Sequence, residues 1–265
     1  MNIKIEKDKL IDIPYLYYSL EEAEKKPLII VSHGYNCDQY DEAAMALKLV
    51  QKGFHVLTYD LSEHGERYSG FLERIEKDTD MGMSMLQIID QSYSDLERLI
   101  ESFKLNPLVE EDNIILVGVS LGAMLTYYAL TKNKSISAAV SLIGTPDLVQ
   151  AMVYGMEKES VDYFISEDEI RLIEYASEMN PLEKLLTDES RPLLIINTTK
   201  DDDVPFENSQ LFYEKLKKKY DSFNGKLEFF LSEDYHVVNN EMIQYCIDWL
   251  CQIFNDNVNN NSNTE

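Results

Sequence analysis

Gly118-Val119-Ser120-Leu121-Gly122 is the stretch that most limits what this chain can fold into. It joins an apolar run, Asn113 to Val117, to the helical pattern Leu121 to Leu130. A strand that turns straight into a helix strains the backbone at the turn and packs main chain against main chain on either side of the serine. Glycines flanking the serine leave room for that approach. The pattern therefore reads as a nucleophile elbow, with Ser120 exposed above a sheet and the next helix's N-terminus facing any oxyanion that forms beside it.

A serine hydroxyl is a weak nucleophile until a base takes its proton and an acid orients that base. Four histidines are available, and in the chain order that accompanies such an elbow, serine then acid then histidine, only His236 lies downstream. It sits in Ser232-Glu233-Asp234-Tyr235-His236, between the strand-like run Lys226 to Leu231 and a C-terminal helix, and loops at strand ends are where catalytic side chains are usually carried. The acid should lie between. The strand-like run Leu193 to Asn197 leads into Thr198-Thr199-Lys200-Asp201-Asp202-Asp203-Val204-Pro205, which offers three aspartates, two of them suited to turn formation. A rival, Asp147, follows the strand Ala138 to Leu142 in Gly144-Thr145-Pro146-Asp147. Such sites are fixed by geometry rather than by sequence position, so it stays open.

Two further segments give the elbow its context. Leu28-Ile29-Ile30-Val31-Ser32-His33-Gly34-Tyr35-Asn36 is an apolar strand running into His-Gly, and Gly53 to Asp60 reads as a strand running into Asp60-Leu61-Ser62-Glu63-His64-Gly65-Glu66-Arg67. Together with the elbow these resemble the α/β-hydrolase superfamily, and within it small bacterial esterases of the dienelactone-hydrolase and acyl-peptidase-like branch. That resemblance implies backbone N–H groups of Tyr35 and Leu121 as the oxyanion hole, with His33 structural. It aligns Asp60 to Arg67 with a D-x-x-G-H-G loop braced by Asp60 and His64, Glu63 standing where glycine is common. It also favours Asp201 as the acid, because an aspartate followed three residues later by Val-Pro resembles many members, leaving Asp202 and Asp203 as turn residues. The implied activity is a cofactor-independent serine hydrolase, a carboxylesterase cleaving short to medium acyl esters through an acyl-enzyme on Ser120. An acyl-peptidase-like amidase or peptidase and a thioesterase are alternatives within the fold. A ligand receptor without chemistry is the alternative outside enzymes.

Alternating strand and helix patterns from Pro27 to Phe254 imply an α/β fold, a mostly parallel central sheet with helices on both faces. Residues 1–254 are expected to form one domain, since folds of this kind reach this size as a unit, with Asn2 to Glu6 and Ile11 to Tyr18 as a leading antiparallel ribbon. Helical periodicity marks Ser84 to Phe103, Glu207 to Tyr220 and Glu241 to Phe254, where Met242, Tyr245, Trp249 and Ile253 share a face. The stretch between Leu142 and Leu193 exceeds the roughly dozen residues a plain crossover needs, so residues 146–190 are expected to form a small helical cap. Ser166 to Glu169 starts one of its helices as a capping box, continued by Ile170, Ile173 and Ala176. Met152, Met156 and Phe164 are candidate substrate-binding residues, with Val153 and Tyr163 as further roof positions. The polar, asparagine-rich 255–265 reads as a disordered tail.

Charge narrows the partners. The 24 basic against 48 acidic side chains leave a formal charge of −24, which repels nucleic-acid backbones and anionic lipid surfaces. A small-molecule acyl ester is the expected partner, with neither nucleic acid nor membrane. Neither a signal-like leader after Met1 nor an apolar run of the roughly eighteen residues needed for a span is evident, so a cytoplasmic location is expected. Cys37, Cys246 and Cys251 match no disulfide framework or zinc spacing, and no metal or cofactor is expected.

Overall fold

The computed structural model describes residues 2–22, 24–71, 78–159, 165–220 and 226–254. Its strands are β1 (Ile3–Leu10), β2 (Ile13–Leu20), β3 (Lys26–Ser32), β4 (His55–Tyr59), β5 (Val109–Val119), β6 (Ile136–Leu142), β7 (Leu193–Thr198) and β8 (Leu227–Ser232). They form one sheet in the order β1-β2-β4-β3-β5-β6-β7-β8. β2 runs antiparallel to its neighbours β1 and β4, and every other pair is parallel. The leading ribbon is thus present and stitched to the parallel body through β2.

The central strands explain why helices cover both faces. Leu28 and Ile30 of β3 and Ile114 and Leu116 of β5 join one core, whereas Ile29, Val31, Ile115 and Val117 join the other. Continuous apolar runs of this kind need burial on two sides. Helices α1 (Ala43–Gln51) and α8 (Asn240–Phe254) supply Met45, Leu49, Trp249 and Leu250 to one face. Helices α2 (Asp78–Lys104), α3 (Leu121–Lys132) and α7 (Phe206–Tyr220) supply Leu96, Leu99, Leu125 and Phe212 to the other. In α8 the buried stripe is Met242, Cys246, Ile247, Trp249 and Leu250, rather than the expected one that included Tyr245 and Ile253. Tyr245 sits at its margin, stacked on Phe230 with its hydroxyl donating to Glu228 at 2.7 Å, as suits a side chain with an apolar body and a polar tip.

Three helices occupy the crossover from β6 to β7: α4 (Leu148–Glu159), α5 (Glu167–Met179) and α6 (Leu182–Thr187). The capping box forms, with Ser166 Oγ accepting from Glu169 N–H and the Glu169 carboxylate accepting from Ser166 N–H. The buried face of α5 is Leu172, Ala176 and Met179, not the expected Ile170, Ile173 and Ala176; Ile170 is 46% exposed. Packing decides this register: Gly82 of α2 leaves space for the Leu172 side chain, and a methyl group there would lie 2.8 Å from it. Tyr163, Phe164 and the tail 255–265 lie outside the described residues.

One topological feature places the site. The chain leaves β3 toward β4 on one side and later crosses to β5 on the other, so strand order reverses at β3. A crevice opens at the carboxyl ends of the strands at such a switch point.

Candidate active site

At the end of β5, Ser120 has φ 52° and ψ −110°, a positive φ that a side chain with a Cβ adopts only at a cost of about 1–3 kcal/mol. The surroundings hold it there. Ser120 N–H donates to the Leu142 carbonyl at 2.9 Å, and its own carbonyl accepts from Ala123 N–H at 2.9 Å as α3 begins. The flanking glycines are required by space: a Cβ on Gly118 would lie 2.1 Å from the Gly122 carbonyl oxygen, and one on Gly122 would lie 2.2 Å from that of Ser32.

The structure brings Ser120, His236 and Asp201 into one hydrogen-bonded chain. His236 Nε2 lies 2.8 Å from Ser120 Oγ, and His236 Nδ1 lies 2.7 Å from Asp201 Oδ2. Asp201 is 7% exposed, and its other oxygen accepts the N–H groups of Asp203 at 2.9 Å and Val204 at 2.8 Å. The acid and histidine loops are also joined through their backbones, Thr199 N–H to the Ser232 carbonyl and Lys200 N–H to that of Asp234. Asp202 and Asp203 are exposed turn residues. Asp147 lies elsewhere: its carboxylate accepts from Asn180 at 3.0 Å and from Gln150 N–H at 3.2 Å, at the start of α4.

Gly34 packs against Ser120, where a Cβ would touch the serine Cβ at 3.5 Å, and Tyr35 follows it in the chain. Leu121 is the first residue of α3, and N–H groups in a helix's first turn have no acceptor within the helix. His33 fixes the peptide that joins Gly34 to Tyr35. Its Nδ1 donates to the Gly34 carbonyl at 2.7 Å, while Nε2 accepts from Leu61 N–H at 3.1 Å. The Gly34 carbonyl and Tyr35 N–H belong to one planar trans peptide, so fixing the oxygen fixes the direction of the hydrogen. The arrangement needs a neutral imidazole, and burial lowers the His33 pKa to about 4.

The Asp60 to Arg67 loop is braced as the resemblance implies, by a carboxylate more than by an imidazole. Asp60 accepts from Gln39 N–H and Glu66 N–H, each at 2.8 Å, whereas His64 makes a local contact through Nδ1 to the Ser62 carbonyl at 2.8 Å. Glu63 takes φ 60° where the family pattern has glycine, and its carboxylate accepts from Ser69 Oγ at 2.5 Å. Gln39 carried no signal in the sequence, because an amide side chain in a polar loop has no distinguishing neighbours.

A cavity of about 470 Å³ lies between α4 and the acid loop, with Val153, Tyr154, Asp201, Pro205 and Phe206 among its walls. Met152 is 6% exposed and packs in the core, its sulfur facing Gly82, and Met156 packs partly buried on the same cluster. The wall formed by α4 thus runs through Val153 and Tyr154, and Phe164 lies outside the described residues. The Cys37 thiol is half-buried, its pKa raised first by desolvation and then by Asp41, Glu42 and Asp38, so it does not carry thiolate character.

Residues 45–255 match the model of the prolyl oligopeptidase family. The chain belongs to that family. It is a serine hydrolase with the α/β-hydrolase fold, in line with the acyl-peptidase-like resemblance. It is 28% identical to "Putative esterase YitV" of Bacillus subtilis (strain 168) over 257 residues, 93% of this chain and 98% of that protein. It is also 26% identical to "Esterase YjfP" of Escherichia coli (strain K12), over 82% of this chain and 86% of the relative. The crystal structure of TT1662 from Thermus thermophilus superposes with a TM-score of 0.70 at 19% identity, covering 94% of this chain and 97% of that one. Among the described residues no helix is long and apolar enough to cross a membrane.

Proposed function

We propose that this family member is a carboxylesterase acting on small acyl esters, with Ser120, His236 and Asp201 as its catalytic triad. The reading rests above all on the continuous chain from Asp201 through His236 to Ser120 Oγ, with contacts of 2.7 and 2.8 Å. His236 Nε2 takes the hydroxyl proton as Ser120 Oγ bonds to the acyl carbon, and the oxyanion is held by Tyr35 and Leu121 N–H groups. Collapse of the tetrahedral species breaks the bond to the alcohol, which leaves with the proton from His236. Water, deprotonated by His236, then releases the acid. Nucleophile, base and donors all come from the chain, so the reaction calls on no cofactor. The names of the relatives in Bacillus subtilis and Escherichia coli favour ester over amide. A cytoplasmic location belongs to the same proposal.

The test is a matched panel of p-nitrophenyl esters, acyl anilides and peptide anilides compared by kcat/KM, run beside fluorophosphonate labelling. Esters should lead, and the label should map to Ser120. Faster peptide anilides would make the protein a peptidase, and an unlabelled, inactive protein would remove the enzymatic reading.

A further inference from the structure

Strand β7 is buried along its whole length, and Leu193 to Ile196 are apolar, yet the next residue is Asn197, 0% exposed. An amide in such a place destabilises the fold unless it is hydrogen-bonded. Asn197 Nδ2 donates to the Gly144 carbonyl at 3.1 Å, and the same oxygen accepts from Ser209 Oγ of α7 at 2.8 Å. Ser209 is likewise fully buried. Two side chains from different elements thus converge on one backbone oxygen, and the proposed relay uses neither of them.

What they hold lies against the nucleophile. Ile143, the residue before Gly144, has φ 48°, an outlier for a β-branched side chain that persists only where its surroundings over-determine it. On one side of it, the Leu142 carbonyl accepts Ser120 N–H at 2.9 Å. On the other, Gly144 packs on the first turn of α3, where a Cβ would lie 2.4 Å from that of Ala123 and 3.2 Å from the Ser120 carbonyl oxygen. Residues 142–144 therefore brace the Ser120 backbone at both its amide and its carbonyl. The turn is tied to β7 through Ile143 N–H, which donates to the Ile196 carbonyl at 2.7 Å, and through the two donors on the Gly144 oxygen. Loss of those donors frees the strained φ to relax, and relaxation moves both surfaces on which Ser120 rests.

We propose that Asn197 and Ser209 are positioning residues, which hold the Ile143–Gly144 turn in its strained form and thereby set Ser120 Oγ against His236 Nε2. The inference rests on the esterase reading and adds to it two buried side chains on which placement of the nucleophile depends. Neither side chain is exposed, so substrate binding is spared and their loss falls on kcat.

Two variants test this. Asn197→Leu keeps a side chain of similar size and removes the donor, and Ser209→Ala removes a single oxygen. Misplacing a reacting group by about 1 Å can cost on the order of 10²-fold. Asn197→Leu should therefore lower kcat for p-nitrophenyl acetate by about tenfold or more and Ser209→Ala by about threefold or more, with KM within about twofold of the wild type. The rate of fluorophosphonate labelling at Ser120 should fall in parallel, and the pH–rate profile should keep its shape because Asp201 and His236 are undisturbed. Merely structural bonds would lower Tm and leave kcat and labelling, measured well below Tm, as in the wild type; that outcome in either variant overturns the proposal. A displaced pH–rate profile also overturns it, since the substitution would then act through the acid loop that follows β7. Should Asn197→Leu fail to fold, Ser209→Ala decides by itself. If the wild type is labelled at Ser120 but cleaves no ester, the esterase reading fails and the labelling rates still decide this one. A wild type neither labelled nor active removes both.

Discussion

Around Ser120 the floor of the site is tied together by main-chain hydrogen bonds between neighbouring strands and their loops, whereas the helices inserted between β6 and β7 are held mostly by side-chain packing. On the floor, Ser120 is bonded to Leu142, Thr199 to Ser232 and Lys200 to Asp234, all at 2.9–3.0 Å. In the insertion, Leu172 and Met152 fill the space over Gly82. Main-chain bonds tolerate little displacement, which suits a relay whose atoms must stay within hydrogen-bond reach. Apolar contacts adapt to a change of shape at modest cost. The proposed function divides along the same line, with chemistry assigned to the ladder and selection to the packed helices.

The strongest way to break that division is to remove the proposed relay. Ser120→Ala and His236→Ala should each lower kcat by on the order of 10³-fold or more with the fold intact, and the double variant should be hardly worse than either, since members of one relay act as a unit. Ester turnover with circular dichroism checks this. Additive losses would mean that the two side chains act separately.

Next in size is the acid. Asp201→Asn should present His236 with an amide in place of the carboxylate that holds its tautomer, costing about 10²-fold or more in kcat. Asp147→Asn, Asp202→Asn and Asp203→Asn should stay within roughly tenfold. A crippled Asp147 variant beside a healthy Asp201 variant would move the acid to the other strand.

The His33 side of the floor carries a pH signature. The unfolded chain protonates His33 near the ordinary value of 6.5, but the folded protein does so only at about 4. Between those values the unfolded state binds the extra proton, so this group leaves stability intact above pH 6.5 and lowers it as pH falls toward 4. The loss reaches about 3 kcal/mol at roughly 1.4 kcal/mol per pKa unit. Urea unfolding of the wild type and His33→Gln from pH 7 to pH 4 should show the gap between them closing by about that amount. A gap independent of pH would show that His33 is not held neutral.

The same division governs what could be read from the chain. Gly118, Ser120, Gly122 and the His33-Gly34 pair were visible because a strained turn and a close approach admit few residue types. The choice of Asp201 over Asp147 came from the resemblance carried by Val204-Pro205 and not from strand pattern, since both follow an apolar strand, and the three-dimensional register brings Asp201 to His236. In α5 the error had a different source. Ile170, Ile173 and Ala176 have good helical spacing, but so do Leu172, Ala176 and Met179, and a neighbouring helix with a glycine at the crossing selects between them.

The smallest effect falls on the inserted helices and asks whether α4 selects the acyl group through Val153 or through the neighbouring methionines. Val153 and Tyr154 line the cavity beside Asp201, while Met152 faces the core. Neighbouring positions on a helix point about 100° apart, so a shift of one residue separates a cavity wall from a packing contact. If the wall is Val153, enlarging it to Phe should lower kcat/KM for hexanoyl relative to acetyl p-nitrophenyl esters by roughly tenfold, the scale of a methylene or two in an apolar pocket. Met152→Ala should instead cost about 2–4 kcal/mol of stability through the void it leaves, with the chain-length ratio unchanged. The reverse pattern, a flat profile in Val153→Phe and a shifted one in Met152→Ala, would place the acyl chain on the core side of α4 and draw the insertion's packing into substrate selection.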